Sequence, residues 1–145
     1  MKVTLWVGLT LTVLAMVAPY VDRAEGQVLA GHILDGYPHY SAAQVDSAVT
    51  TYLVILTSVG VVGVVGWLWT LRAVDGGRPW TPWLAAALFV GAVTVALSGL
   101  TVKDTSGDVG LAPLLAWIEV LPCVAGGVAV VQLVRQRTEM RRSLS

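Results

Sequence analysis

Cysteine and charge are what this sequence has least of. Its single cysteine, Cys123, has no partner for an internal disulfide, which excludes membrane thiol-relay chemistry built on paired cysteines. Only 12% of its 145 residues are charged, against about 25% in soluble domains. Acidic and basic residues balance at nine each, and a net charge of zero gives no electrostatic footprint for nucleic acid. No Ser-His-Asp set, phosphate loop or zinc signature is present, so neither an enzyme class nor a cofactor is expected.

What the chain has instead is apolar length. Hydrophobic residues make up 56% of it and gather into four runs. A run of about 20 apolar residues crosses a bilayer as a helix. The pattern therefore predicts an all-α fold: an antiparallel bundle of four transmembrane helices near residues 3–21, 49–72, 83–102 and 112–134, in one integral membrane domain. The first run exceeds the usual core of a signal peptide, and Pro19 after Ala18 disfavours cleavage, so it is expected to stay as a helix. Ser41 and Gln44 form a capping-box pattern, which would extend the second helix outward from residue 42. Gly60, Gly63 and Gly66 mark a packing groove on that helix. Thr81 and Pro82 read as the N-cap and first residue of the third helix. Residues 135–145 form a basic tail.

The first two runs are joined by an outer loop of about 20–27 residues, with a short strand or hairpin expected around residues 28–34. His32, Asp35 and His39 in this loop are of metal-ligand type, but their spacing matches no site pattern; a solvated loop is expected and no metal is assigned. Asp104, Ser106 and Asp108 have alternate-oxygen spacing like the start of a calcium loop, without its later ligands.

Charge sets the orientation. With the N-terminus inside, Lys2, Arg72, Arg78, Arg135, Arg137, Arg141 and Arg142 face the cytoplasm, and only Arg23 and Lys103 face out. Trp6, Trp67, Trp69, Trp80 and Trp83 fall near the inner interface, and Tyr20, Tyr37, Tyr40 and Tyr52 near the outer one, as aromatic belts do. The expectation is a multi-pass protein of the cell membrane with both termini cytoplasmic. Seven Arg against two Lys, with abundant Ala, Val and Gly, fits a GC-rich bacterial genome.

One ionisable residue lies inside an apolar run. On a helical wheel Glu119 falls on one line with Ala112, Ala116, Cys123 and Gly126, while Leu114, Trp117, Leu121, Val124 and Val128 lie opposite. Small residues mark close helix approach, so Glu119 belongs to the packing face, with a bend expected at Pro122. It lies seven residues past Ala112, roughly 10 Å deep at about 1.5 Å per residue. Thr12, Thr57, Ser58, Thr94 and Ser98 stand near that depth as candidate polar neighbours; no cation does, so a neutral, hydrogen-bonding acid is expected.

The layout resembles that of small bacterial four-helix integral membrane proteins, a likeness that implies a bundle and brings no function with it. The Trp and paired cysteines of a claudin outer loop are absent, and the membrane Glu of small multidrug transporters belongs to their first helix, where this chain has none. The expected role is structural or accessory, with the lipid bilayer, another membrane protein or further copies of the chain as partners. The alternative is a small proton- or cation-coupled transporter using Glu119.

Overall fold

The computed structural model describes residues 2–142. It is 84% helical and contains no strand among the described residues. Five α-helices follow one another: α1 (Lys2–Val21), α2 (Val28–Gly36), α3 (Ala42–Asp75), α4 (Thr81–Thr101) and α5 (Pro113–Arg142). All but α2 are long and apolar enough to cross a membrane.

α1 buries Leu5, Gly8, Thr12, Ala15 and Pro19, a stripe at three- and four-residue spacing. It runs on into a π-helical turn, Asp22–Gly26, which ends where Gln27 takes a left-handed conformation with φ 51°. The chain then turns into α2, correcting the expected strand or hairpin. Two features select the helix. The Asp22 carboxylate accepts from the N–H groups of Val28 at 2.9 Å and Leu29 at 3.0 Å, satisfying donors that a helix start leaves open. Leu29 and Ile33, one turn apart, are buried against Val49, Leu53, Leu56, Leu111 and Leu115.

α3 begins as its sequence predicts. Ser41 Oγ accepts from Gln44 N at 3.3 Å, and Gln44 Oε1 accepts from Ser41 N at 2.8 Å. Its 34 residues span about 50 Å, more than the roughly 30 Å hydrocarbon layer. The excess is the N-terminal end on which α2 packs. The C-terminal end closes on a Gly77 left-handed cap: Gly77 N donates to Val74 O at 3.1 Å, Arg78 N donates to Ala73 O at 3.0 Å, and Gly77 has φ 59°. Gly77→Val is expected to lower stability by about 1–2 kcal/mol, because a side chain at this φ meets its own backbone. Gly76→Ala should change little, since Gly76 has φ −80°. Thermal unfolding of both variants in detergent checks the contrast.

α4 starts one residue before its sequence suggests. Thr81 is the first helical residue, Trp80 holds the N-cap position, and the Thr81 hydroxyl donates to Arg78 O at 2.7 Å. α5 runs through Pro122 as one helix, as expected, but continues past the expected end near residue 134 to Arg142, so the basic tail is a helical extension over residues 135–142; residues 143–145 lie outside the described residues. No Gly or Pro interrupts that segment, and Arg, Gln, Glu and Met are good helix formers.

The four long helices form a ring in which α1 packs against α3 and α5, α4 packs against α5, and a looser α3–α4 contact closes it. The glycines of α3 make the first contact close. A Cβ on Gly60 would lie 2.8 Å from Met16 Cγ, and one on Gly63 would lie 2.9 Å from Thr12 Cγ2. α5 has the two faces its wheel predicts. Ala112, Ala116 and Cys123 are buried, while Leu114, Trp117, Leu121, Val124 and Val128 are exposed. α3 and α4 are joined by a tight turn yet touch less than the α1–α3, α1–α5 and α4–α5 pairs, Gly66 against Leu88 being one contact. The ends are tied by ion pairs, Lys2 to Asp75 at 2.6 Å and Arg23 to Asp46 at 2.7 Å. Exposed pairs of this kind add little stability.

Candidate functional site

Glu119 stands on α5 where that helix faces the middle of the bundle. Around it the four long helices leave a hollow of about 470 Å³, within the range of small-ligand pockets. α1 contributes Thr12, α3 contributes Ser58, Gly63 and Trp67, α4 contributes Leu88, Phe89 and Ala92, and α5 contributes Glu119, Pro122 and Cys123. The walls are largely apolar, and Glu119 is the one carboxylate on them.

The hollow has an open flank. Along the gap between α3 and α4 its lining includes Val62, 66% exposed, and Val95, 38% exposed, together with exposed Ser58, Gly91 and Ala92. In a bilayer this flank faces sideways into the hydrocarbon rather than toward water. The opening follows from the packing: α4 is held mainly by α5, and its small residues Ala87 and Gly91 leave space where a larger side chain would reach α3.

The Glu119 carboxylate makes no hydrogen bond or ion pair with protein among the described residues. The contact at this residue is through its backbone: the Cys123 thiol points at the Glu119 carbonyl at 3.6 Å. The expected polar layer is therefore only half present. Thr12 and Ser58 line the hollow with Glu119; Thr57, Thr94 and Ser98 do not. Thr57 is engaged with the Tyr20 hydroxyl at 2.6 Å, and the Thr94 and Ser98 hydroxyls donate to Val90 O and Thr94 O of their own helix. Even Ser58 donates back to Val54 O at 2.8 Å. A helical Ser or Thr finds an acceptor one turn back, and that local bond displaces the interhelical one.

Trp67 is the residue whose role the sequence misplaces. Its indole is not part of the inner belt but lies inside the bundle, where Nε1–H donates to Thr12 Oγ1 at 2.9 Å. The Thr12 hydroxyl in turn donates to Gly8 O at 2.9 Å. The ring lies over Gly8, where a Cβ would come within 2.3 Å of it. The other four tryptophans assigned to that belt, Trp6, Trp69, Trp80 and Trp83, are exposed as a belt requires.

The end of the bundle that carries α2 forms a separate polar cap. His32 Nε2 donates to Val109 O at 2.6 Å, and the Tyr37 hydroxyl bonds the Thr105 hydroxyl, so α2 is pinned to the α4–α5 loop. His32 is thus used as a tether rather than grouped with Asp35 and His39; among the described residues no three His, Cys, Asp or Glu side chains converge on one point. Asp104, Ser106 and Asp108 form a tight turn. Ser106 donates its hydroxyl and its N–H, the latter at 2.8 Å, to Asp104 Oδ1, and Asp108 N donates to Ser106 Oγ at 3.3 Å.

The Ser106 hydroxyl, followed by its N–H and the Tyr37 hydroxyl, holds the Asp104 carboxyl below its ordinary range, against an opposing effect of desolvation. A carboxyl whose folded pKa is depressed stabilises the turn fully above the unfolded value and loses that contribution as pH falls through the folded one. Protection of the Ser106 and Gly107 amides, taken as exchange relative to the intrinsic rate at each pH, should therefore fall below about pH 4 and stay level between pH 6 and 8. Asp104→Asn should remove the dependence.

Compared with protein-family models, curated proteins and solved structures, the chain finds no match. The fold defines its class as a multi-pass membrane protein of four spans.

Proposed function

We propose that this chain is a small accessory protein of the cell membrane that acts by binding within the membrane plane, with its N- and C-termini in the cytoplasm. The observation that carries the reading is the open flank between α3 and α4, which leads to Glu119, the one carboxylate lining the hollow and one without a protein partner among the described residues. A side chain or headgroup that enters there and donates to Glu119 gives the carboxyl the hydrogen bond that the chain itself withholds. The natural occupants are a helix of another membrane protein or a second copy of this one. Orientation is supported by the cluster of Lys2, Arg72, Arg78, Arg135 and Arg137 at one end of the bundle.

Copurification from native membranes tests the role. A stoichiometric partner that is retained by the unaltered chain and lost from Ala92→Leu, which fills the flank, is the expected result; equal recovery with both removes the reading. Reporter fusions at Gly76 and Gly107 test the orientation, with Gly76 expected inside and Gly107 outside.

A second reading rests on the hydroxyls lining the same hollow. Thr12 and Ser58 share it with Glu119, so a proton or small cation at the carboxylate would have hydroxyl oxygens nearby. This is the arrangement a proton- or cation-coupled transporter uses. Glu119→Gln separates the two, because Gln keeps hydrogen bonding and abolishes proton exchange. Proton or cation flux in liposomes that disappears in the variant would establish transport; absence of flux in the unaltered protein leaves the binding role.

A further inference from the structure

At the inner end of the bundle, away from Glu119, a second hollow of about 810 Å³ lies between the start of α1 and the α3–α4 turn. Trp6, Trp69, Trp80, Arg72, Arg78 and Asp75 are on its walls. We infer that this hollow is a binding site for the phosphate-bearing headgroup of an anionic phospholipid.

Four observations lead there. Both guanidiniums are available: Arg72 and Arg78 make no side-chain hydrogen bond or ion pair among the described residues. The acid beside them is already engaged, since Asp75 pairs with Lys2 at 2.6 Å. Their backbones are fixed by the helix cap. Arg72 O accepts from Gly76 N at 3.0 Å, Arg78 N donates to Ala73 O at 3.0 Å, and Arg78 O accepts from the Thr81 hydroxyl at 2.7 Å. Finally, the aromatic wall is built for the interface. Trp69 and Trp80 meet edge to face with centroids 6.5 Å apart, and with Trp6 they are 40–57% exposed. Two planar cations match the oxygens of a phosphate, and indoles settle at headgroup level with the apolar body toward the acyl chains.

A free phosphate would use the cations alone. The tryptophans select a phosphate that arrives with a lipid body attached, and the proposed orientation places the site in the cytoplasmic leaflet, where anionic lipids reside. The site differs from general attraction to the basic end of α5, which has charge but no aromatic wall.

The test uses the full chain in nanodiscs of phosphatidylcholine containing phosphatidylglycerol, with lipids retained after mild extraction counted by native mass spectrometry. Both leaflets are identical there, so the result does not depend on orientation, which the reporter fusions test separately. The unaltered protein should retain phosphatidylglycerol above its bulk share. Arg72→Gln with Arg78→Gln should weaken that preference by about 20- to 30-fold, from about fivefold per cation, with helicity unchanged by circular dichroism. Arg135→Gln with Arg137→Gln should leave it intact, and Trp69→Ala should reduce it with both cations present. Preference that survives the Arg72 and Arg78 changes overturns the site. Equal loss from the Arg135 and Arg137 changes assigns the effect to the tail and overturns it as well. Competition by glycerol phosphate at concentrations matching the lipid would show a free-phosphate site and overturn the lipid assignment.

Discussion

Replacing Gly8 by leucine should destabilise the protein by about 3 kcal/mol or more, at the upper end of overpacking effects. The reason is local and closed on three sides. A Cβ at residue 8 would sit 2.3 Å from two atoms of the Trp67 ring. The ring borders the hollow, but moving into it breaks the bond from its N–H to Thr12, which is itself bonded to the Gly8 carbonyl. Relief therefore costs either that bond or the separation of α1 from α3, which gives up the packing on which membrane helix association depends. Gly91→Ala is the matched control. It places a methyl on a helical glycine where nothing lies within 4 Å of the new Cβ. It should be neutral or stabilising by up to about 1 kcal/mol, through the better helix propensity of alanine. Unfolding of the three proteins in one detergent, followed by tryptophan fluorescence and circular dichroism, checks both directions. Loss of less than about 1 kcal/mol in Gly8→Leu would show that α1 does not seat on α3 as described.

Glu119→Met should have the opposite effect on stability and a large effect on function. A carboxyl in an apolar wall without a protein hydrogen bond costs about 1–3 kcal/mol. Methionine is similar in length, carries no such group and adapts to irregular space. The variant should therefore unfold about 1–2 kcal/mol less readily than the unaltered chain, while binding or transport through the hollow is lost. Gain of stability with loss of activity is the mark of a group kept for function. A Glu119→Met variant that unfolds more readily would mean that the carboxyl holds helices together, and interhelical adhesion would then be its role.

Much of this architecture is legible in the residues because the bilayer imposes simple rules. Length and apolarity find the four spans; the alternation of small and large residues on α5 finds its buried and exposed faces; Ser41 and Gln44 fix the start of α3. The glycines at 60, 63 and 66 predict a groove, and side chains of Met16, Thr12 and Leu88 occupy it. What escaped the sequence depends on contacts between distant residues. α2 reads as a loop because its helical stripe is only Leu29 and Ile33 and its cap, Asp22, lies six residues upstream of the first N–H it accepts from. Trp67 reads as a belt residue because depth alone cannot separate an indole turned outward from one turned onto Gly8. Glu119 stands out in sequence as a buried acid, but its surroundings do not: hydroxyls at matching depth suggest a polar ring, whereas each finds an acceptor elsewhere.

The central claim is that the flank between α3 and α4 is where this protein meets its partner. Photo-cross-linking in native membranes measures that directly. A photoreactive residue placed at Ala92, on the exposed lining of the hollow, is compared with one at Val124, 61% exposed on the opposite face of α5. The account predicts a discrete protein adduct from position 92, of a partner's mass or of a second copy's, and only lipid adducts from position 124. Lipid adducts alone from both positions would contradict it.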